Sequence, residues 1–249
     1  MSTAEIDQSE KFFTMEKSTN FSKALWERNE HRFHKICALP FITEQKDGTL
    51  SAERYRHYII QDTLFLEGFS SAIALAASKA TDHPRGHERA MLLLSHGIAI
   101  LDTELDLHDG ILRRLGLVSR ADVHLNFEPS PTCHHYVSFL LSTASQQSLP
   151  VIVASMLPCY WLYREVANWM LTERQKGASS NCSQYQEWLD MYCSNEYAEA
   201  VDEMLALADE LAEEADERTR KKMEAAFGRA FQLEWMFWKS AYGMEQWGI

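Results

Sequence analysis

Residues 55–69 read YRHYIIQDTLFLEGF. Tyr55, Tyr58, Ile59, Asp62, Leu66 and Phe69 recur there at spacings of three and four, which puts them on one face of an α-helix. That face is apolar except for a single carboxylate, Asp62. Upstream, Ser51 followed by Arg54 is a partial cap signal and Asp47-Gly48 is a turn. Before the turn, Phe21, Leu25 and Ile36 mark a first amphipathic helix, with Asn20 as its candidate cap and an end near Leu39-Pro40.

Downstream, Asp82-His83-Pro84 breaks the helical pattern, residues 87–115 resume it and Gly116 stops it. Val118–Ser130 reads as a connecting loop. Pro131 opens a helix, and Pro150 opens another over 151–172. Gly177–Ser183 is a small, polar loop. Tyr185–Tyr192, Glu196–Glu214 and Glu217–Ala241 are helical. The sequence therefore predicts an all-α, single-domain bundle of seven to eight helices over residues 19–249, preceded by a loose leader over 1–18.

Composition agrees. Among 249 residues there are 10 glycines and 6 prolines, too few turn formers for an all-β chain of this size. The formal net charge of −12 repels nucleic acid and anionic membrane surfaces, so neither is an expected partner. Cys37, Cys133, Cys159, Cys182 and Cys193 form no C-x-x-C pair, and their odd number argues against a disulfide framework. No signal peptide is visible at the N-terminus, and the apolar stretches around Ala72–Ala77 and Val151–Leu157 are short for a bilayer. Reduced thiols and a cytoplasmic location are the expectation.

Three residues stand out chemically. Cys159 lies beside Pro158 inside an apolar run, and Tyr163 follows one turn later on its face. A nucleophilic thiol in an aromatic pocket fits, as does a buried structural cysteine. Glu234 shares a helical face with Phe231, Trp238 and Ala241. A carboxyl there faces the core, where burial raises its pKa toward the range of a general acid or base, unless an arginine or backbone donor pairs with it. Asp62 can accept hydrogen bonds from a substrate amino group or from a neighbouring tyrosine. Metal signals are weak. No histidine follows a glutamate at the Glu-x-x-His spacing of helical di-iron sites. Glu27/His31, Glu30/His34, Glu53/His57 and Glu104/His108 are spaced by four instead and read as surface pairs or helix support. Glu210–Arg220 reads as a solvated charged face and loop.

Seven stretches, in this order, resemble the TenA (thiaminase II) family: Leu39-Pro40-Phe41, residues 47–50 (DGTL), 58–62 (YIIQD), Ser130-Pro131-Thr132, 157–163 (LPCYWLY), 185–188 (YQEW) and 234–238 (EWMFW). The similarity spans about Phe21 to Trp247 and fits the branch that retains a cysteine. It implies a heme-oxygenase-like bundle, a homotetramer, and no bound metal, heme or other cofactor. It implies hydrolysis at the C5 methylene of 4-amino-5-aminomethyl-2-methylpyrimidine, for thiamine salvage, with thiamine as a second substrate. By position, Cys159 matches the nucleophile and Glu234 the acid/base. Asp62 matches the residue that holds the pyrimidine amino group. Tyr163 and Tyr192 match tyrosines that line the ring site, and Tyr136 the ring that stacks on the pyrimidine. Phe65 stands where the family usually has a tyrosine, which keeps a ring and loses a hydroxyl. Two other readings remain open: a non-catalytic protein that binds a pyrimidine or a partner, and a heme- or metal-dependent oxygenase on the same fold.

Overall fold

The computed structural model describes residues 20–81, 85–116, 120–176 and 185–248. The leader, the break at Asp82-His83-Pro84 and the loop over Gly177–Ser183 lie outside them. Helix α3 (Ala52–Ala80) begins where Ser51 Oγ accepts from the Arg54 amide at 3.3 Å. All six residues of its apolar face, Asp62 included, are buried. Among the described residues only α3 has the length and hydropathy of a membrane span; 67% of that window is buried against other helices, so its apolar surface is used in the core.

Helix α8 (Leu149–Lys176) is the axis of the bundle. Residues Val151 to Tyr160 are all buried, as a helix apolar on every side requires. It packs on α11 (Glu217–Gly243) and α10 (Asn195–Glu214). Helix α3 packs on α4 (Gly86–Ala99) and on α7 (Pro131–Gln146). Gly68 lets α3 and α7 approach: a Cβ there would sit 2.5 Å from Val137 Cγ1. Side-chain caps on Ser130, Ser194 and Asp216 start α7, α10 and α11.

All described secondary structure is helical. Seven long rods carry the bundle, α1 (Phe21–Cys37) among them, together with three short helices: α2 (Pro40–Asp47), α6 (Arg120–Asn126) and α9 (Gln186–Tyr192). Several details differ from the sequence reading. Asn20 occupies the cap position of α1, but its side chain makes no cap bond. Pro40 opens α2 as well as following the end of α1, and Gly48 closes it at φ 72°. The stretch read as a loop contains α6, which is too short to show a period. The rod over 87–115 is interrupted by a π-helical turn, Ile100–Glu104, before α5 (Leu105–Arg114). The charged run at the end of α10 is more than a solvated face. Glu214 accepts from the buried Arg89 guanidinium of α4 at 2.6 Å, and Glu210 binds the same group.

Candidate active site

Cys159, at the middle of α8, opens onto a small enclosed cavity with Asp62 of α3, Glu104 of the π turn, and Tyr163 and Tyr192. The cavity is about 10 Å³, the size of one water site, so a larger guest enters only if the surrounding side chains swing aside. The thiol is buried. Burial, and then the charges of Glu234, Glu104 and Asp62, push its pKa well above the usual range. Helix α8 runs unbroken through Pro158, so α8 itself offers no terminus at Cys159 to stabilise a thiolate.

Asp62 is held through one of its carboxyl oxygens. Tyr163 Oη donates to its Oδ1 at a long 3.5 Å, behind a relay in which Trp188 Nε1 donates to Tyr58 Oη at 3.2 Å and Tyr58 to Tyr163 at 3.4 Å. Its Oδ2 has no hydrogen-bond partner and faces His108 Nε2, also unpartnered, at 3.6 Å. The tautomer of His108 follows from its other nitrogen. Thr63 Oγ1 gives its proton to the Ile59 carbonyl at 2.8 Å, so at 3.0 Å it must accept from His108 Nδ1. Burial and the Arg120 charge hold His108 neutral, with a pKa of about 3. A lone pair thus faces Asp62 Oδ2. Burial raises Asp62 to about 7, with Tyr58 and Tyr163 pulling it down. Two acceptors facing one another at this distance call for a proton, or for an N–H donor, between them.

Glu234 of α11 lies behind the cavity wall. Its Oε1 accepts from Tyr136 Oη of α7 at 2.8 Å. Burial lifts its carboxyl to about 8, opposed by the Tyr136 bond and aided by the Asp62 charge. It is the carboxyl that weighs most on Cys159. Gln61 fixes the start of α7, and so the reach of Tyr136, by accepting from the Ser130 amide at 2.7 Å and donating to the Glu128 carbonyl at 3.2 Å. The Phe65 ring packs on Tyr136, with centroids 4.7 Å apart, and on Phe237 at 5.6 Å. Asp62, Cys159, Tyr163 and Tyr192 therefore line one cavity, while Glu234, Tyr136 and Phe65 form the layer behind it.

The sequence reading took Glu104 and His108 as a surface pair or as helix support. That is a correction: Glu104 is one wall of the cavity and His108 is fully buried under Asp62. Their spacing of four does put them on one helical face, with buried Leu105 and Leu112 nearby, but Asp102, Asp106 and Asp109 disguise that face as solvated. Tyr197, whose Oη donates to the Tyr160 carbonyl at 3.2 Å, also went unnoticed as a lining residue. Among the described residues no group of three or more His, Cys, Asp or Glu is placed to hold a metal. A wider groove of about 520 Å³, between α1 and α11, is lined by Arg28, Arg32, Lys221 and Glu224 and reaches none of these groups.

The pattern of the TENA/THI-4/PQQC family matches residues 24–244. The chain belongs to that family. A family relative from Bacillus subtilis, an aminopyrimidine aminohydrolase, is 31% identical over 209 residues, covering 84% of each chain. The solved TenA homologue from P. horikoshii superposes with a TM-score of 0.78 at 24% identity, over 90% of this chain and 99% of that one. Heme oxygenase-1 from the cyanobacterium Synechocystis superposes at 0.57 with 16% identity, over 91% and 94%. That likeness concerns the fold alone, and the fold is the heme-oxygenase-like bundle the family resemblance implied.

Proposed function

We propose that this chain is a C–N hydrolase of thiamine salvage. It converts 4-amino-5-aminomethyl-2-methylpyrimidine and water to the 5-hydroxymethyl pyrimidine and ammonia through a covalent bond to Cys159. The observation that carries this reading is a thiol that shares a cavity lined by no Lys or Arg with Asp62 and Glu104, and has Glu234 in the layer behind it, all three carboxyls raised by burial. The B. subtilis relative supports the reaction class.

The chemistry then divides among the residues. Asp62 Oδ2 and His108 Nε2 accept from the C4 amino group, which supplies the donor both atoms lack. The sulfur of Cys159 adds to C6 and passes its proton to an ionised carboxyl. Glu234 protonates N1, which receives the displaced electron pair. Electrons from the C4 amino nitrogen then expel the C5 aminomethyl nitrogen, bound as its ammonium form, as neutral ammonia and leave an exocyclic alkene at C5. Water adds to that methylene and gives up a proton. Return of the N1 proton to Glu234 and cleavage of the C–S bond restore the aromatic ring; the freed thiolate takes back the proton held by the carboxyl, and the proton from water leaves with the ammonia. Thiamine, with thiazole as leaving group, fits the same sequence of steps.

Incubation with the aminomethyl compound is expected to give the hydroxymethyl compound and ammonia in equal amounts. A purified, folded protein that releases neither sinks the proposal and leaves a binding protein.

The homotetramer belongs to the same proposal. Met91, Leu94, Ile98 and Leu101 form an exposed apolar stripe along one face of α4 and the π turn, which suits a second copy of the chain. Ile98→Asp is expected to lower the molar mass in light scattering while leaving the helical circular dichroism unchanged. An unaltered mass assigns the contact to another face.

A further inference from the structure

We infer that Glu104 is the residue that selects a substrate with a cationic amine on the C5 methylene, and that the leaving ammonia departs past it. This rests on the reading of the reaction given above. Three observations meet at this side chain.

First, Glu104 forms the partition between two cavities. The inner one holds Cys159 and Asp62. An outer one of about 140 Å³ adjoins it, lined by His96, Thr103, Met191 and Glu196, and the two share Glu104, Tyr160 and Tyr197 as walls. The outer cavity opens to the surface, and Glu104 keeps partial exposure while its inner neighbours Asp62 and Cys159 are closed off. C5 lies between C4 and C6 on the ring, so a pyrimidine held with its C4 amino group at Asp62 and C6 at Cys159 presents the C5 methylene inside the cavity that Glu104 walls.

Second, the carboxyl is aimed but incompletely satisfied. Tyr192 Oη donates to its Oε2 at 3.2 Å, and no cation lines either cavity. The Tyr192 bond leaves the other oxygen for a ligand. Burial and the Asp62 charge raise Glu104 to about 8. A bound ammonium removes that penalty by ion pairing, so the site favours a positive guest over a neutral one of the same shape.

Third, the residue is presented by a π-helical turn. The wider turn ends at Glu104, where the Leu105 amide bonds back to the Ile100 carbonyl five residues earlier. Such insertions re-aim a side chain that a regular helix would carry elsewhere.

In the reaction, the substrate enters as the ammonium, paired with ionised Glu104. When the C–N bond breaks, its electron pair goes to nitrogen and neutral ammonia leaves. The pairing is lost with the charge, so the product is not held. The pyrimidine itself, gripped by Asp62, needs nothing from Glu104.

The test compares ligands that share the ring. Glu104→Gln is expected to raise KM for the aminomethyl pyrimidine by about 10- to 100-fold, the scale of one lost charge-assisted hydrogen bond. Inhibition by the neutral hydroxymethyl product should stay within about twofold of wild type, and Glu104→Asp should recover part of the KM loss. A product affinity that falls in step with substrate affinity overturns the inference, because it marks a structural role. So does an unchanged KM. Wild-type protein that binds and converts neither compound sinks the parent reaction instead; wild type that works normally beside an unaffected Glu104→Gln variant sinks only the role of Glu104.

Discussion

Cys159→Ser is expected to lower turnover by about 10⁴-fold or more while leaving the fold and its melting temperature nearly unchanged. The fold should tolerate the change. Serine is close to isosteric, and inside α8 its hydroxyl can donate to the carbonyl one turn back, at Ser155. Turnover should not tolerate it, because an alcohol adds to an electron-poor ring far less readily than sulfur. The surroundings sharpen the contrast. Burial, Glu234, Glu104 and Asp62 all push the thiol pKa upward. The resting sulfur is therefore protonated, unlike the preformed thiolates found beside cations or helix N-termini. Its proton must leave as the bond to C6 forms. Carboxyls near 7 to 8 suit this: around neutral pH the box holds both ionised and protonated members, one to take the thiol proton and one to give a proton to N1. Two measurements check the account. Steady-state kinetics should show the collapse in kcat, and iodoacetamide should alkylate Cys159 slowly at pH 7.5. Full turnover by the serine variant removes the thiol from the reaction. Rapid alkylation contradicts the protonated resting state.

The sequence revealed these groups unevenly, for physical reasons. Asp62 and Glu234 were legible because each interrupts a strongly apolar helical face, where a carboxyl has no solvent to reach. Cys159 was legible through its setting in a run too apolar to be exposed. Glu104 followed the same logic but lay in a mixed stretch, and the π turn shifts the helical phase just there. His108 owes its importance to Thr63 and Asp62, more than forty residues away in sequence, and no spacing within one helix announces such a meeting. The long rods were readable from period and caps. Helix α6 was not, because seven residues make two turns and show no repeat. Which rods pack together, and hence that Tyr192 of α9 would meet Glu104, depends on burial summed over the whole bundle.

The second large effect is expected at Glu234, and it has two parts of opposite sign. Glu234→Gln should reduce kcat by about 10²- to 10⁴-fold, the usual contribution of a positioned acid or base. If the protonated carboxyl gives its proton to N1, wild-type activity should decline as pH rises through about 8, and the variant should lose that decline. Stability should move the other way. The carboxyl is raised from 4.5 to about 8 in the fold, so the native state binds more protons than the unfolded chain between those values. Its stabilising contribution is complete below about pH 4.5 and is lost progressively as pH rises through 8, at about 1.4 kcal/mol per unit. Asp62 and Glu104 are shifted in the same direction and add to the slope. Glutamine cannot ionise, yet its amide oxygen can still accept from Tyr136. The variant should therefore be more stable than wild type at pH 8, by of order 3 kcal/mol, and nearly equal to it at pH 5. Urea unfolding at the two pH values measures this directly. A variant less stable than wild type at pH 8 would mean that Glu234 is ionised and paired in the fold, and the acid role would go with it. A variant that is inactive and more stable identifies a carboxyl held in the core at the expense of stability, which is the expected mark of a group retained for chemistry.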